Sequence, residues 1–324
     1  MRWPRGSTLA LAALLAGPAA ARAQHLDSLV VRLADMSAVT GLEDAMAESL
    51  QAALPGSALD RAGNVVWTRG AGSPVRVALC PMDEIGYVVG AITADGYLTL
   101  RRVGTTLPGP LYDQFLEGQR VTVFGRRGAV PGVVGVRSVH LSRGRPGQGD
   151  EPFRLDDARV DVGARSAADA AALGIAILAP VTRAKHAHRF GFDLVAAPGA
   201  ADRAACAALL DASQRAPRAG GRGTAVVAFT RRRQFRWDGA AFLLRDRAAG
   251  AGEVVVLGGA ASADSLGLGA APARRDSLPT PGGWVAVTAW SLPARYARTP
   301  VETVSLRDAS ALAERLRSFL GGAP

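Results

Sequence analysis

The sequence predicts an α/β domain interrupted by a small β-barrel, and three observations carry that expectation. Apolar residues first recur at helical spacing and give way to β-rich runs. A stretch of short β-like runs punctuated by Gly and Pro follows, and alternating helical and β-like units then return. With 324 residues, 48% hydrophobic and 20% charged, the chain can bury a large core, which excludes a mainly disordered protein.

Taken in order, Leu26, Leu29, Val30 and Leu33, then Met46 and Leu50, fit two successive helices. Thr40-Gly41 separates them and Pro55-Gly56 ends the second. Residues 65–67 and 75–80 are β-rich and bounded by turn residues; the second run fits a central strand. The barrel expectation rests on runs 87–92, 98–103, 120–124, 130–136 and 160–162, with Asp95-Gly96 as a hairpin turn and a short helix at 167–173. Residues 142–151, rich in Gly, Arg and Pro, read as a mobile loop. Helices at 202–215, 237–247 and 308–320 then alternate with strands at 224–230, 253–257 and 285–291, the pattern of a mostly parallel sheet covered by helices. The expected division is 24–86 and 182–324 for the α/β domain and 87–181 for the inserted barrel.

The formal charge is +10, yet the 38 basic residues are spread along the chain and Lys185 is the only lysine. That spread, without a reading element, argues against a nucleic-acid partner. Cys80 and Cys206 sit in apolar runs and read as two buried free thiols, with a disulfide left open by the compartment argued next. Arg2 and Arg5 precede an apolar stretch at 9–16, and Ala21-Arg22-Ala23 forms a small-x-small cleavage site before Gln24. This is the layout of a signal peptide over residues 1–23, so export to the periplasm or beyond is expected, with no membrane attachment after cleavage. An uncleaved anchor is the alternative.

Several motifs, in order, resemble the landmarks of the tetrahedral (TET) or glutamyl aminopeptidase family of di-zinc exopeptidases. They are Asp60-x-x-Gly63-Asn64, Met82-Asp83-Glu84-Ile85-Gly86-Tyr87, the run 132–141, Val160-Asp161-Val162-Gly163-Ala164 with Leu173-Gly174-Ile175, and Pro293-x-Arg295-Tyr296 with Thr299-Pro300-Val301-Glu302. The resemblance implies a three-layer zinc-exopeptidase-like (phosphorylase/hydrolase-like) α/β domain with an inserted barrel, two zinc or cobalt ions, peptide substrates and a homo-oligomer.

Carried over residue by residue, the same resemblance implies that the chemistry is gone. The expected His ligand falls on Pro81, the bridging Asp on Ala201, the general base on Arg233, the next Glu ligand on Gln234, the strand-end Asp on Leu257 or Gly258, and the last His on Arg298. Zinc needs N, O or S donors at ~2.0 to 2.3 Å, and this set does not supply them, so no metal and no catalytic residue is expected. His186 and His188 read as surface residues of a linker, and His140 as a structural residue of the barrel.

Asp83, Glu84 and Asp202 persist from the motifs, and Arg233 and Arg298 stand at former ligand positions. A guanidinium standing where a metal cation stood would pair with Asp83 or Asp202 in a closed site, or bind the carboxylate of a peptide or another small anion in an open one. Solvent-facing arginines are the bland alternative. No G-x-S-x-G, P-loop or strand-following G-x-G-x-x-G occurs, and an apolar strand flank makes Cys80 a poor nucleophile. The functional expectation is a secreted, non-hydrolytic homologue acting as a peptide- or anion-binding or assembly module. Its rival is an active secreted aminopeptidase with an atypical metal site.

Overall fold

A computed structural model describes residues 18–105, 112–136, 153–216, 223–247, 251–261 and 273–321. The expected loop at 142–151, His140 and the apolar stretch at 9–16 lie outside the described residues. Helix α1 (Pro18–Asp35) runs through the expected cleavage point, and α2 (Asp44–Ala53) follows. Leu26, Leu29, Val30, Leu33, Met46 and Leu50 of these helices are all buried, as their spacing requires.

The strands of the first part are β1 (Ala58–Leu59), β2 (Val65–Ala71) and β3 (Val75–Pro81). Strands β4 (Tyr87–Ile92), β5 (Leu98–Arg102), β6 (Arg120–Gly125), β7 (Gly128–Val134), β8 (Val160–Asp161) and β9 (Pro180–Arg183) close into a six-stranded barrel, with helix α3 (Ala167–Ala172) between β8 and β9. Its core of Tyr87, Val89, Leu98, Leu100, Val121, Val123 and neighbours is separate from that of the rest of the chain. The closing strand β9 pairs with both β4 and β6 and carries the barrel to Arg183, two residues past the expected boundary.

After the barrel come β10 (His188–Phe190), β11 (Leu194–Ala196), α4 (Ala200–Gln214), β12 (Gly223–Thr230), α5 (Asp238–Arg247), β13 (Ala251–Ala261), β14 (Arg274–Thr280), β15 (Gly283–Ala294), β16 (Thr303–Ser305) and α6 (Leu306–Gly321). The main sheet has the order β1-β2-β12-β3-β13-β15-β14. Strands β12, β3, β13 and β15 run parallel, and β2 and β14 flank them antiparallel. The apolar run of β3 is central because a strand covered on both faces cannot alternate with polar residues. Helices α1, α2, α4 and α6 cover one face and α5 the other. Helix α4 is the innermost: thirteen of its fifteen residues are buried. Its alanines let it approach the sheet closely, and a Cβ on Gly259 would come within 2.5 Å of the Ala201 side chain.

The reading of Cys80 and Cys206 as free thiols is corrected: they form a disulfide between β3 and α4, and no described cysteine is free. The sequence shows each thiol only in its own apolar run. Packing α4 across β3 brings the two Cα atoms to 5.5 Å, within bonding range. The bridge spans 126 residues and therefore ties the segments before and after the barrel.

Candidate ligand-binding cleft

A cleft of about 760 Å³ opens between the barrel and the C-terminal ends of the parallel strands, where open α/β sheets place their ligands. Glu84 and Lys185 line its base, Tyr112 and Arg183 its barrel side, and Asp202, Arg233, Arg298 and Glu302 its sheet side. The topology that gathers them is simple. Strand β3 delivers Pro81 beside Thr230 at the end of β12, and the loops leaving both strands carry Asp83, Glu84, Arg233 and Gln234. Helix α4 starts at Gly199, whose φ of 70° suits glycine, and presents Asp202 in its first turn.

On the sheet side, the Arg233 guanidinium grips Asp202 with both ends: Nη1 donates to Oδ1 at 3.1 Å and Nη2 to Oδ2. Asp202 Oδ1 also accepts the Gly259 backbone N–H at 2.9 Å. Burial alone would raise the Asp202 pKa, but Arg233 outweighs it and holds the carboxyl below the usual range. The side chains are 28% and 21% exposed, so the pair faces the cleft. Of the two expected partners, Asp83 and Asp202, Arg233 takes Asp202. Asp83 Oδ2 accepts the Gln234 backbone N–H at 3.2 Å, and Oδ1, buried, has no hydrogen-bond partner among the described residues.

Glu302 was not singled out by its motif, yet it organises this wall. Its Oε1 accepts the Ala201 N–H at 2.8 Å, capping α4, and its Oε2 accepts the Arg298 N–H at 2.7 Å. Burial first, and the Asp202 carboxylate second, raise its pKa. The Arg298 side chain itself is exposed at the rim. Leu257 is packed in the core beneath α4, and the neighbour at the site is Gly258, where a Cβ would lie 3.1 Å from Asp202 Oδ1 and 3.6 Å from Arg233 Nη1.

Of the six described non-glycine residues with positive φ, five (Arg232, Arg236, Trp237, Tyr296, Arg298) lie on the two loops that frame this wall. Left-handed backbone at bulky residues is retained where surrounding contacts enforce it, and it concentrates at binding sites. Trp237, one of the five, is pinned by its Nε1–H donating to Thr230 Oγ1 at 2.8 Å.

At the base, Glu84 Oε1 accepts the Ala38 N–H at 2.8 Å and lies 3.5 Å from Arg203 Nη2, while Oε2 meets Lys185 Nζ. Burial would raise the Glu84 pKa, but Lys185 and then Arg203 reverse it. Arg203 stands next to Asp202 in the motif that carries the bridging position; Lys185 is missed by motif reading, and the one signal that marked it is its being the sole lysine. Elsewhere, His186 and His188 are exposed, and His188 stacks on Phe190 with ring centroids 5.8 Å apart. Among the described residues, no three or more His, Cys, Asp or Glu side chains are grouped to hold a metal ion.

An α/β sheet with a barrel inserted after its central strand, and a cleft between them lined by loops at the strand ends, is the architecture of an exopeptidase-like domain. The M42 glutamyl aminopeptidase family matches residues 63–246, more than half of the chain, and the protein belongs to that family. SgcX of Escherichia coli (strain K12) is 33% identical over 181 residues, 54% of this chain and 47% of that one. The lysyl aminopeptidase of Pyrococcus furiosus is 31% identical over 179 residues, 54% and 49% respectively, so the match spans about half the length of these curated relatives. Among solved structures, an aminopeptidase of the archaeon Desulfurococcus kamchatkensis aligns with a TM-score of 0.77 at 19% identity, covering 93% of this chain and 96% of its own. The TET1 peptidase of Pyrococcus horikoshii, described as assembling into a tetrahedron or a large octahedral shell, aligns at 0.76 and 21% identity, covering 91% and 99%. These likenesses fix the fold.

Proposed function

We propose that this family member is a non-hydrolytic, exported homologue whose cleft binds a peptide or small anion without a di-metal centre. The observation that carries the reading is the Arg233–Asp202 pair, in which a guanidinium holds the carboxylate that the motif alignment puts next to the metal-bridging position. A fixed, delocalised cation supplies positive charge there but no Lewis acidity and no activated water.

The donor set does not fit two divalent ions. Both Asp202 oxygens are bound by Arg233, both Glu302 oxygens accept backbone N–H groups, and Pro81, Ala201 and Gly258 bring no side-chain donor. The cleft itself is of ligand-binding size. Export is supported by the leader pattern at residues 1–23 and by the disulfide, since such bonds persist in oxidising compartments. A homo-oligomer remains part of the reading, by analogy with the relative that assembles into shells.

Purified protein should contain no stoichiometric zinc or cobalt and should not cleave aminoacyl-nitroanilides. Two tightly held ions with turnover would establish the rival reading of an active aminopeptidase. N-terminal sequencing of exported material should begin at or near Gln24, and material beginning with Met1 would remove export from the proposal.

A further inference from the structure

Not every cation beside the cleft has an ionic partner among the described residues. Arg102 is matched by Asp113, and Glu84 is shared by Lys185 and Arg203. Arg183, 7% exposed, has no carboxylate within ion-pair distance among the described residues. Glu84 and Asp113 are thus both engaged by other cations, and neither neutralises Arg183.

The partners of Arg183 are neutral. Its Nη1 donates to the Tyr112 hydroxyl at 3.3 Å, its Nη2 to the Tyr112 carbonyl at 3.2 Å, and its guanidinium lies 4.7 Å from the centre of the Tyr112 ring. The Tyr112 phenol is held neutral: burial raises its pKa more than Arg183 lowers it. Among the described residues, Arg183 Nε has no acceptor. Of five N–H donors, two are used. A guanidinium so placed is expensive to bury unless an anion completes it, and Arg183 faces the cleft.

We propose that Arg183, where the barrel rejoins the sheet, anchors a carboxylate-binding subsite in the cleft and takes the free carboxylate of a short peptide. The unused Nη hydrogens form a planar donor set suited to a carboxylate, and Lys185 adds positive field from 3% side-chain exposure without competing for it, being engaged by Glu84. The proposal rests on the cleft being a peptide site, and it relocates the anion anchor from Arg298, at the rim, to the buried end.

Calorimetry on the full-length mature protein tests it with three probes: Ala-Ala, Ala-Glu amide and Ala-Ala amide. These carry a terminal carboxylate, a side-chain carboxylate and none. At least one acid should bind roughly tenfold to a hundredfold more tightly than Ala-Ala amide, and whichever does so assigns the carboxylate's source. Arg183→Met should abolish that preference while leaving the ligand-free unfolding midpoint unchanged or higher. Equal binding of the three probes, no binding of any, an intact preference in Arg183→Met, or tighter binding of inorganic phosphate than of either acid would overturn the proposal. So would a fall of several degrees in the ligand-free midpoint of Arg183→Met, which would assign Arg183 to holding Tyr112 in place. Failure of the non-hydrolytic reading would appear separately, as bound metal and probe cleavage.

Discussion

The two ends of the cleft solve opposite electrostatic problems. At the sheet end one guanidinium meets one carboxylate, Arg233 on Asp202, and backbone N–H groups occupy the remaining acid, Glu302. At the barrel end Glu84 is shared by Lys185 and Arg203, and Arg183 rests on a tyrosine. The first end is complete as folded, and the second is complete only with a partner. The positions that the motif alignment marks are thus occupied from within the fold, and the charge left open lies elsewhere.

The largest expected effect concerns the bond that ties the segments before and after the barrel. Replacing Cys80 and Cys206 together by Ala should cost about 4 to 5 kcal/mol by denaturant unfolding, given the long loop they close. A loss under about 1 kcal/mol would mean that α4 and β3 hold both ends without the bond.

Next in size, Asp202→Asn strands the Arg233 guanidinium and should cost roughly 2 to 4 kcal/mol, below the full buried-pair penalty because the pair is partly exposed. The contrast with Arg183→Met, expected to be stability-neutral, is the comparison in numerical form. Equal losses at both ends would break it.

The same carboxylate sets a pH dependence. Since the folded Asp202 pKa lies below its ordinary 3.8, the unfolded chain binds the proton first. The stability it contributes is therefore full above that value and drains away as pH falls through the lower folded value. The stability gap between wild type and Asp202→Asn should shrink in acid below about pH 4; a gap constant from pH 7 to pH 3 would show that the pair is not the source.

Smallest of all, Arg298→Ala should shift stability by less than about 1 kcal/mol, because its side chain is exposed and the backbone N–H that Glu302 accepts is retained. A loss of several kcal/mol would make the rim arginine part of the closed end.

How much of this was readable beforehand follows from what each residue's neighbours encode. Strand β3 was legible as central because it is apolar from Val77 on without polar alternation, and α4 because it is rich in alanine and leucine. Strand β14 was not, since its residues Arg274–Thr280 are mostly exposed and polar and hold their place by pairing with β15. The three-stranded sheet of β10, β11 and β16 is built from three-residue segments too short for a period. In the cleft, gapless motif counting located Arg233 and Asp202, but the choice of Asp202 over Asp83 as partner depends on where α4 begins. Glu302 lies in a quoted motif, but its hold on the start of α4 shows only in the fold, and Arg183 carries no local mark at all.

The buried Lys185 also gives the chain an unusual chemical simplicity. With one lysine in the whole sequence, and its side chain only 3% exposed, the folded protein offers amine-reactive labels little beyond its N-terminus. An endoproteinase that cuts after lysine has a single target, at the seam between barrel and sheet, and can reach it only when that seam parts. Each cut would leave Cys80 in one fragment and Cys206 in the other, still joined through sulfur. The break would therefore stay silent on a gel until reductant is added, so nicking followed by reduction counts the openings of this one junction.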